Sequence, residues 1–315
     1  VENITLGQNG PVVTPLCIGT WAWGDKLFWN YGDRYGPEQL QEAFTAALEA
    51  GITFFDTAEV YGMGLSEKFL GQFLQQTQQP VQIATKFGPL PWRFTAKSVS
   101  DALTQSLKRL QLERIALYQV HWPFAFFLSQ ETLMNALADE VKRGRIATVG
   151  VSNYSAEQMR DAHQILAARG VPLAVNQVRY SLLSRQVESQ GIITTARELG
   201  VTILAYSPLA QGLLTGKYSI DSAEPPTGAR KIDPRFKKEG LQKIAPVISL
   251  LRSLGEKYDR TPAQVALNWL IAQGNVIPIA GVKTAEQVRQ NAGALGWKLS
   301  DDEVGELELV SRSWL

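Results

Sequence analysis

The sequence predicts an α/β chain folded as a (β/α)8 TIM barrel, on three observations. Eight short apolar, β-branched runs recur along 315 residues, amphipathic helical stretches separate them, and a glycine repeatedly closes the helix before the next run. The phrase is read in EAGITFFD (49–56), KRGRIATVGVSN (142–153), ARGVPLAVNQ (168–177), ELGVTILAYS (198–207) and AQGNVIPIAG (272–281). Glycine closes a helix in the left-handed conformation without a Cβ clash. The runs lack alternation, as parallel strands covered on both faces do.

In chain order, ITLGQNGPVV (4–13) predicts a hairpin turning at Asn9-Gly10. Strands follow at about 16–21, 52–55, 81–85, 115–119, 146–150, 173–177, 201–205 and 276–279. Between the first two, Pro37 opens a helix whose stripe is Leu40, Ala43, Phe44, Ala47 and Leu48. Val99, Leu103, Leu107 and Leu110 form another stripe, and Ser155-x-x-Gln158 is a capping box. The stretch 206–275 is too long for one unit and predicts a long loop and an extra helix after strand seven, with a turn-rich piece at 225–235. The rival, a doubly wound sheet, calls for a G-x-G-x-x-G turn after its first strand, which is absent there. One barrel domain over residues 1–315 is the expectation.

Composition narrows the function. A net charge of +1 gives no footprint for nucleic acid, and no apolar run reaches the roughly 18–20 residues of a membrane span. A single Cys17, two His and no zinc spacing argue for a reducing compartment and no metal. A cytoplasmic enzyme is expected, or one of an organelle stroma if a transit segment preceded Val1. The partner expected is a small molecule; the oligomeric state is not legible.

Barrel chemistry sits at the C-terminal ends of the strands. There this sequence carries Trp21, Asp56, Lys86, His121, Ser152-Asn153, Gln177, Tyr206-Ser207 and Gly281-Val282-Lys283. Carbonyl reduction needs a hydride on carbon and a proton on oxygen. Tyr61, five residues after Asp56, suits the proton: a neighbouring Lys86 ammonium lowers a tyrosine's pKa, and Asp56 holds the lysine. His121 suits orientation of the carbonyl oxygen. Other readings stay open from spacing alone: Asp56 as a loop cap, Lys86 as a structural ion pair or Schiff-base lysine, and His121 as a core histidine.

FFDTAEVYGMGLSEKFLG (54–71), IATKFG (83–88), YQVHWP (118–123), VGVSNYS (149–155), NQVRYSLL (176–183) and AYSPLAQGLLTGKY (205–218) stand in the order of the aldo-keto reductases, which the chain resembles from about residue 4 to 305. The resemblance implies a catalytic tetrad of Asp56, Tyr61, Lys86 and His121, and NADPH as cofactor. Ser152, Asn153 and Gln177 would hold the nicotinamide carboxamide, Tyr206 would stack on its ring, and Gly19, Thr20 and Trp21 would line the same side. Ser207, Leu209 and Gln211 would meet the pyrophosphate, with Pro208, Gly212, Leu214, Lys217 and Arg230 on the same loop. After Gly281, the residues Lys283, Thr284, Gln287, Gln290 and Asn291 would bind the adenosine end, Lys283 leaning toward NADPH over NADH. PIAG (278–281) departs from the PIPG common in the family.

GTWAWG (19–24), PWR (91–93) and GALGWKL (293–299) are similar to the pyridoxal-reducing branch of the family. That implies pyridoxal to pyridoxine as the favoured reaction, with Trp21, Trp23, Phe28, Trp29, Phe87 and Trp122 about the substrate. A broad aldehyde or ketone reductase, and an NADPH-binding redox-sensing regulatory subunit, are the alternatives the resemblance leaves.

Overall fold

The computed structural model describes residues 2–123, 127–219 and 233–315. A two-stranded antiparallel hairpin comes first, β1 (Ile4–Thr5) with β2 (Val12–Val13). Eight strands then close a parallel barrel: β3 (Cys17–Gly19), β4 (Phe54–Asp56), β5 (Gln82–Phe87), β6 (Ile115–Val120), β7 (Ile146–Ser152), β8 (Leu173–Arg179), β9 (Thr202–Tyr206) and β10 (Val276–Gly281). Each pairs with its chain neighbour, and β10 returns to β3. All eight expected strands are present. Several extend one or two residues further at the C-terminal end, so Asp56, Lys86, Ser152 and Tyr206 lie on the strands rather than past them.

The helices form where the stripes require. Pro37–Glu49 starts with proline in its first turn and buries Leu40, Ala43, Phe44 and Ala47. Ala96–Leu110 buries Val99, Leu103, Leu107 and Leu110, and Ala156–Ala167 carries the predicted Ser155–Gln158 capping box. After β9 the extra helix is Lys238–Tyr258, followed by Pro262–Ala272. No described helix is long and apolar enough to cross a membrane.

Two apolar clusters result among the described residues. The larger joins outward strand residues such as Phe55, Ile83 and Val149 to the helices. The smaller fills the lower barrel with Cys17, Phe54, Ala84, Leu117, Val175, Leu204 and Ile277, and takes in Leu6 and Val13 from the hairpin. The hairpin turn differs from expectation: residues 6–11 connect the strands, and Gly7, not Asn9-Gly10, adopts a positive φ of 59°. A Cβ at Gly7 would lie 2.7 Å from Ala174 Cα, so the close approach of hairpin to β8 requires glycine.

Two residues above that floor, the inward positions turn polar. Phe54 gives way to Asp56, Ala84 to Lys86, Leu117 to Gln119 and Val175 to Gln177. Strand alternation points each pair to the same side. The barrel is thus apolar below and ionic above.

Candidate active site

The ionic layer is organised by Lys86. Its fully buried ammonium donates to Asp56 Oδ2 at 2.6 Å, to the Thr57 carbonyl at 2.8 Å and to the Tyr61 hydroxyl at 3.2 Å. Burial opposes that charge, but Asp56 and Tyr61 outweigh it and the lysine pKa is raised. All three N–H bonds are committed. That is the reverse of what a nucleophilic amine needs, and it removes the Schiff-base reading of Lys86.

Tyr61 opens a tight turn, Tyr61–Gly64, in which Gly62, Met63 and Gly64 have φ values of 54°, 56° and 88°. Such left-handed residues double the chain back and leave the Tyr61 side chain over the barrel. Its ring stands edge-on to His121 at 5.8 Å between centroids and 6.4 Å from Trp21. The net direction of its pKa is upward: burial is the largest influence and exceeds the lowering by Lys86. The expectation of a lowered value is therefore corrected. Lysine offsets part of a desolvation penalty that position in sequence does not reveal.

His121 follows β6, with its backbone N–H on the Phe87 carbonyl. Burial and then the Lys86 charge push its pKa down to about 3, so the imidazole is neutral. Its Nδ1 is buried and has no hydrogen-bond partner among the described residues. A stranded lone pair is tolerated better than a stranded N–H, which assigns the proton to Nε2.

Sequence reasoning missed Gln119, two residues before His121. Its Nε2 donates to Asp56 Oδ1 at 3.1 Å, and Gln177 Nε2 donates to the same oxygen at 2.9 Å and to Gln119 Oε1 at 3.1 Å. Asp56 thus accepts from one ammonium and two amides. Glu59 was missed too: it accepts from Gly88 N and from Arg93, whose guanidinium lies 4.9 Å from the Phe87 ring.

On the far side of the mouth, four expected residues meet. Ser152 Oγ donates to the Gln177 carbonyl, Asn153 Nδ2 to Ser152 Oγ, and Tyr206 OH to Asn153 Oδ1 at 3.0 Å. Gln177 Oε1 receives no hydrogen bond from the described residues, which leaves an acceptor for a carboxamide N–H. Beyond β9, Leu209 (φ −101°) precedes Ala210, Gln211 and Gly212 at φ 48°, 58° and 97°. Within that turn Ala210 N donates to the Ser207 carbonyl and Gly212 N to the Leu209 carbonyl, so these two N–H groups are spent inside the loop. Thr284 caps the helix Ala285–Ala292 by accepting from Gln287 N, and Lys283 stands just before it. The carboxamide-binding group and the helix start fit a nicotinamide and a phosphate.

Some expected residues lie elsewhere. Trp23 is fully buried, donates its indole N–H to the Val282 carbonyl and meets Phe73, so it packs the loop instead of facing substrate. Phe87 is also buried, under Arg93. Thr20 is buried with its hydroxyl on the Asp56 carbonyl and Ser66, while Gly19 is buried between Asp56 and Gly281 within the sheet. Leu214 and Pro208 are buried, Asn291 nearly so, and Gln290 donates to Glu286. Lys217 is exposed with its ammonium over Tyr218, and Arg230 falls outside the described residues. Lys283 lies 4.6 Å from the Trp29 ring and 5.0 Å from Tyr35. Trp21, Phe28 and Trp29 form one group, with centroids 5.9 and 5.4 Å from Trp21, and Trp122 lies 4.8 Å from His121.

Known proteins share this arrangement of chain. A model of the aldo/keto reductase family matches residues 15–312. A chloroplastic pyridoxal reductase of Arabidopsis thaliana is 42% identical over 97% of this chain and 85% of its own. An aldo-keto reductase of Schizosaccharomyces pombe, with NADP(+) in its name, is 35% identical over 87% of this chain and 83% of its own. A glycerol dehydrogenase of Gluconobacter oxydans superposes with a TM-score of 0.87 at 29% identity, covering 100% of this chain and 96% of that one.

Proposed function

The chain belongs to the aldo/keto reductase family, and on that premise we propose that it reduces an aldehyde to its alcohol with NADPH, pyridoxal to pyridoxine being the favoured reaction. The observation that carries the reading is the buried Lys86 ammonium joining Asp56 to the Tyr61 hydroxyl. When bound, the cofactor supplies the hydride. Tyr61 OH delivers the proton to the carbonyl oxygen, and Lys86 stabilises the phenolate left behind. His121 Nε2–H orients the same oxygen. Ser152, Asn153 and Gln177 hold the carboxamide, and Tyr206 offers a ring face. The loop that carries Ser207, Leu209 and Gln211 would lie along the pyrophosphate, and Lys283 with the helix start at Thr284 would take the ribose phosphate.

Pyridoxal is a flat, aromatic aldehyde, and Trp21, Phe28, Trp29 and Trp122 suit its ring. The relative that bears the name pyridoxal reductase, at 42% identity, supports the choice. Trp92, Phe94 and Phe127 are more than half exposed, and the last two rings lie 5.6 Å apart. They favour a second reading, a broad reductase of aromatic aldehydes.

The test is NADPH oxidation with pyridoxal, 4-nitrobenzaldehyde and methylglyoxal, repeated with NADH. Pyridoxal is expected to have the highest kcat/KM. A win by 4-nitrobenzaldehyde transfers the assignment to the second reading. Negligible turnover of all three, with NADPH bound, leaves a regulatory cofactor-binding subunit.

The pH dependence is fixed by two groups that stay neutral. His121, with a pKa of about 3, is deprotonated throughout the neutral range, and Tyr61, raised above its ordinary 10, keeps its proton. Aldehyde reduction is therefore expected to show level kcat/KM from about pH 5 to about pH 9. An acid limb centred near pH 6.5 in the rate profile would show that His121 does charge.

A further inference from the structure

We infer that Gln119 is a positioning residue for the reaction: its amide locks the Asp56 carboxylate toward Lys86 and anchors the Gln177 amide through its second N–H. The inference rests on the reductase reading above.

Asp56 Oδ2 is taken by Lys86, and among the described residues Oδ1 has only the two amides. A carboxylate only accepts, so both glutamines must turn Nε2 toward it. Gln177 spends its second N–H on Gln119 Oε1. The ring of Asp56, Gln119 and Gln177 is therefore self-consistent in one orientation, and that orientation leaves Gln177 Oε1 as the outward acceptor. Without Gln119, Asp56 keeps one amide donor, and the second N–H of Gln177 loses its acceptor. Gln177 still donates to Asp56, but it is then held by one bond instead of two, and in this way one group couples the proton site to the carboxamide site.

The fold makes room for this side chain. Gln119 is fully buried on β6, in register with Lys86 on one side and Gly150 on the other. A Cβ at Gly150 would lie 2.9 Å from Gln119 Cγ and 3.1 Å from Leu117 Cδ1. The bare backbone of Gly150 is thus the space that the Gln119 side chain occupies.

Gln119→Leu keeps the bulk and removes the amide; Gln119→Glu keeps the shape and makes donation depend on a proton. An amide donor withdraws charge from Asp56, so its loss leaves the carboxylate more negative and Tyr61 harder to ionise. In Gln119→Leu, kcat for reduction is expected to fall on the order of ten-fold. The limb of the reverse alcohol oxidation, which uses the phenolate, is expected to move alkaline by about half a pH unit. The Kd for NADPH, read by protein fluorescence, is expected to rise about three-fold as Gln177 loses one of its two anchors. Mere loosening of the core lowers stability and kcat but leaves the limb in place. In Gln119→Glu the introduced carboxyl donates to Asp56 only when protonated, so activity is expected to approach wild type at low pH and fall as pH rises.

An unmoved limb and unchanged Kd in Gln119→Leu overturn the inference. So does a Gln119→Glu profile that follows wild type, which decides the matter if the leucine variant does not fold. If wild type reduces no aldehyde the reductase reading fails instead, while the Kd comparison still reads Gln119 through Gln177.

Discussion

Replacing Tyr61 with Phe is expected to lower kcat for aldehyde reduction about a thousand-fold, within the range that a positioned general acid supplies. The change deletes one oxygen. The ring contacts to Trp21 and His121 survive, and Lys86 retains Asp56 and the Thr57 carbonyl among its three partners. No hydrogen bond links the hydroxyl to the Ser152, Asn153 and Tyr206 group, so the Kd for NADPH stays within about two-fold. Steady-state kinetics with parallel fluorescence titration separate the two quantities. His121 cannot replace the acid, because a neutral imidazole with a pKa of about 3 has no dispensable proton. A variant turning over within three-fold of wild type therefore removes Tyr61 from the proton step and leaves the Lys86 ammonium, 3.2 Å from the deleted hydroxyl, as the donor.

The barrel was legible because its signals are local. A glycine-closed helix followed by an apolar run marks each unit, and all eight strands were found with ends displaced by a residue or two. The inward polar residues were legible for the same reason, since Asp56, Lys86 and His121 stand where barrel strands end. What escaped depends on closure of the ring. Gln119 in YQVHWP looks like a strand interior until Asp56 and Gln177, 121 residues apart, are brought to its amide. Counting back two from His121 on an inward face is the one signal that could have found it. Trp23 is separated from Trp21 by one residue, and nothing local says that one meets the mouth while the other packs on Phe73. The direction of the Tyr61 pKa escaped because burial is a property of the assembled site. Lys86 acts as expected, but against a larger desolvation.

Lys86→Met tests both halves of this account at once. The ammonium is fully buried, and the carboxylate it balances is almost so. Removing one partner of such a pair leaves an uncompensated charge, at a cost of about 3–5 kcal/mol. The two amides on Asp56 Oδ1 still donate, which places the expected loss near the lower end, about 3 kcal/mol. Activity should fall further than stability alone explains, because the Tyr61 phenolate loses its counter-charge together with the donor at 3.2 Å. Denaturant unfolding and kcat, measured on the same preparation, give both losses. The double variant Asp56→Leu/Lys86→Met distinguishes their origins. With both charges gone the desolvation penalty disappears, and stability is expected to recover most of what the single variant lost. Catalysis should not recover, since nothing then stabilises the phenolate. If activity returns with stability, Lys86 serves the fold alone and the proton step runs without it. If neither returns, the Asp56 carboxylate is needed by Gln119 and Gln177 as much as by the lysine, and the three form one unit with the ion pair.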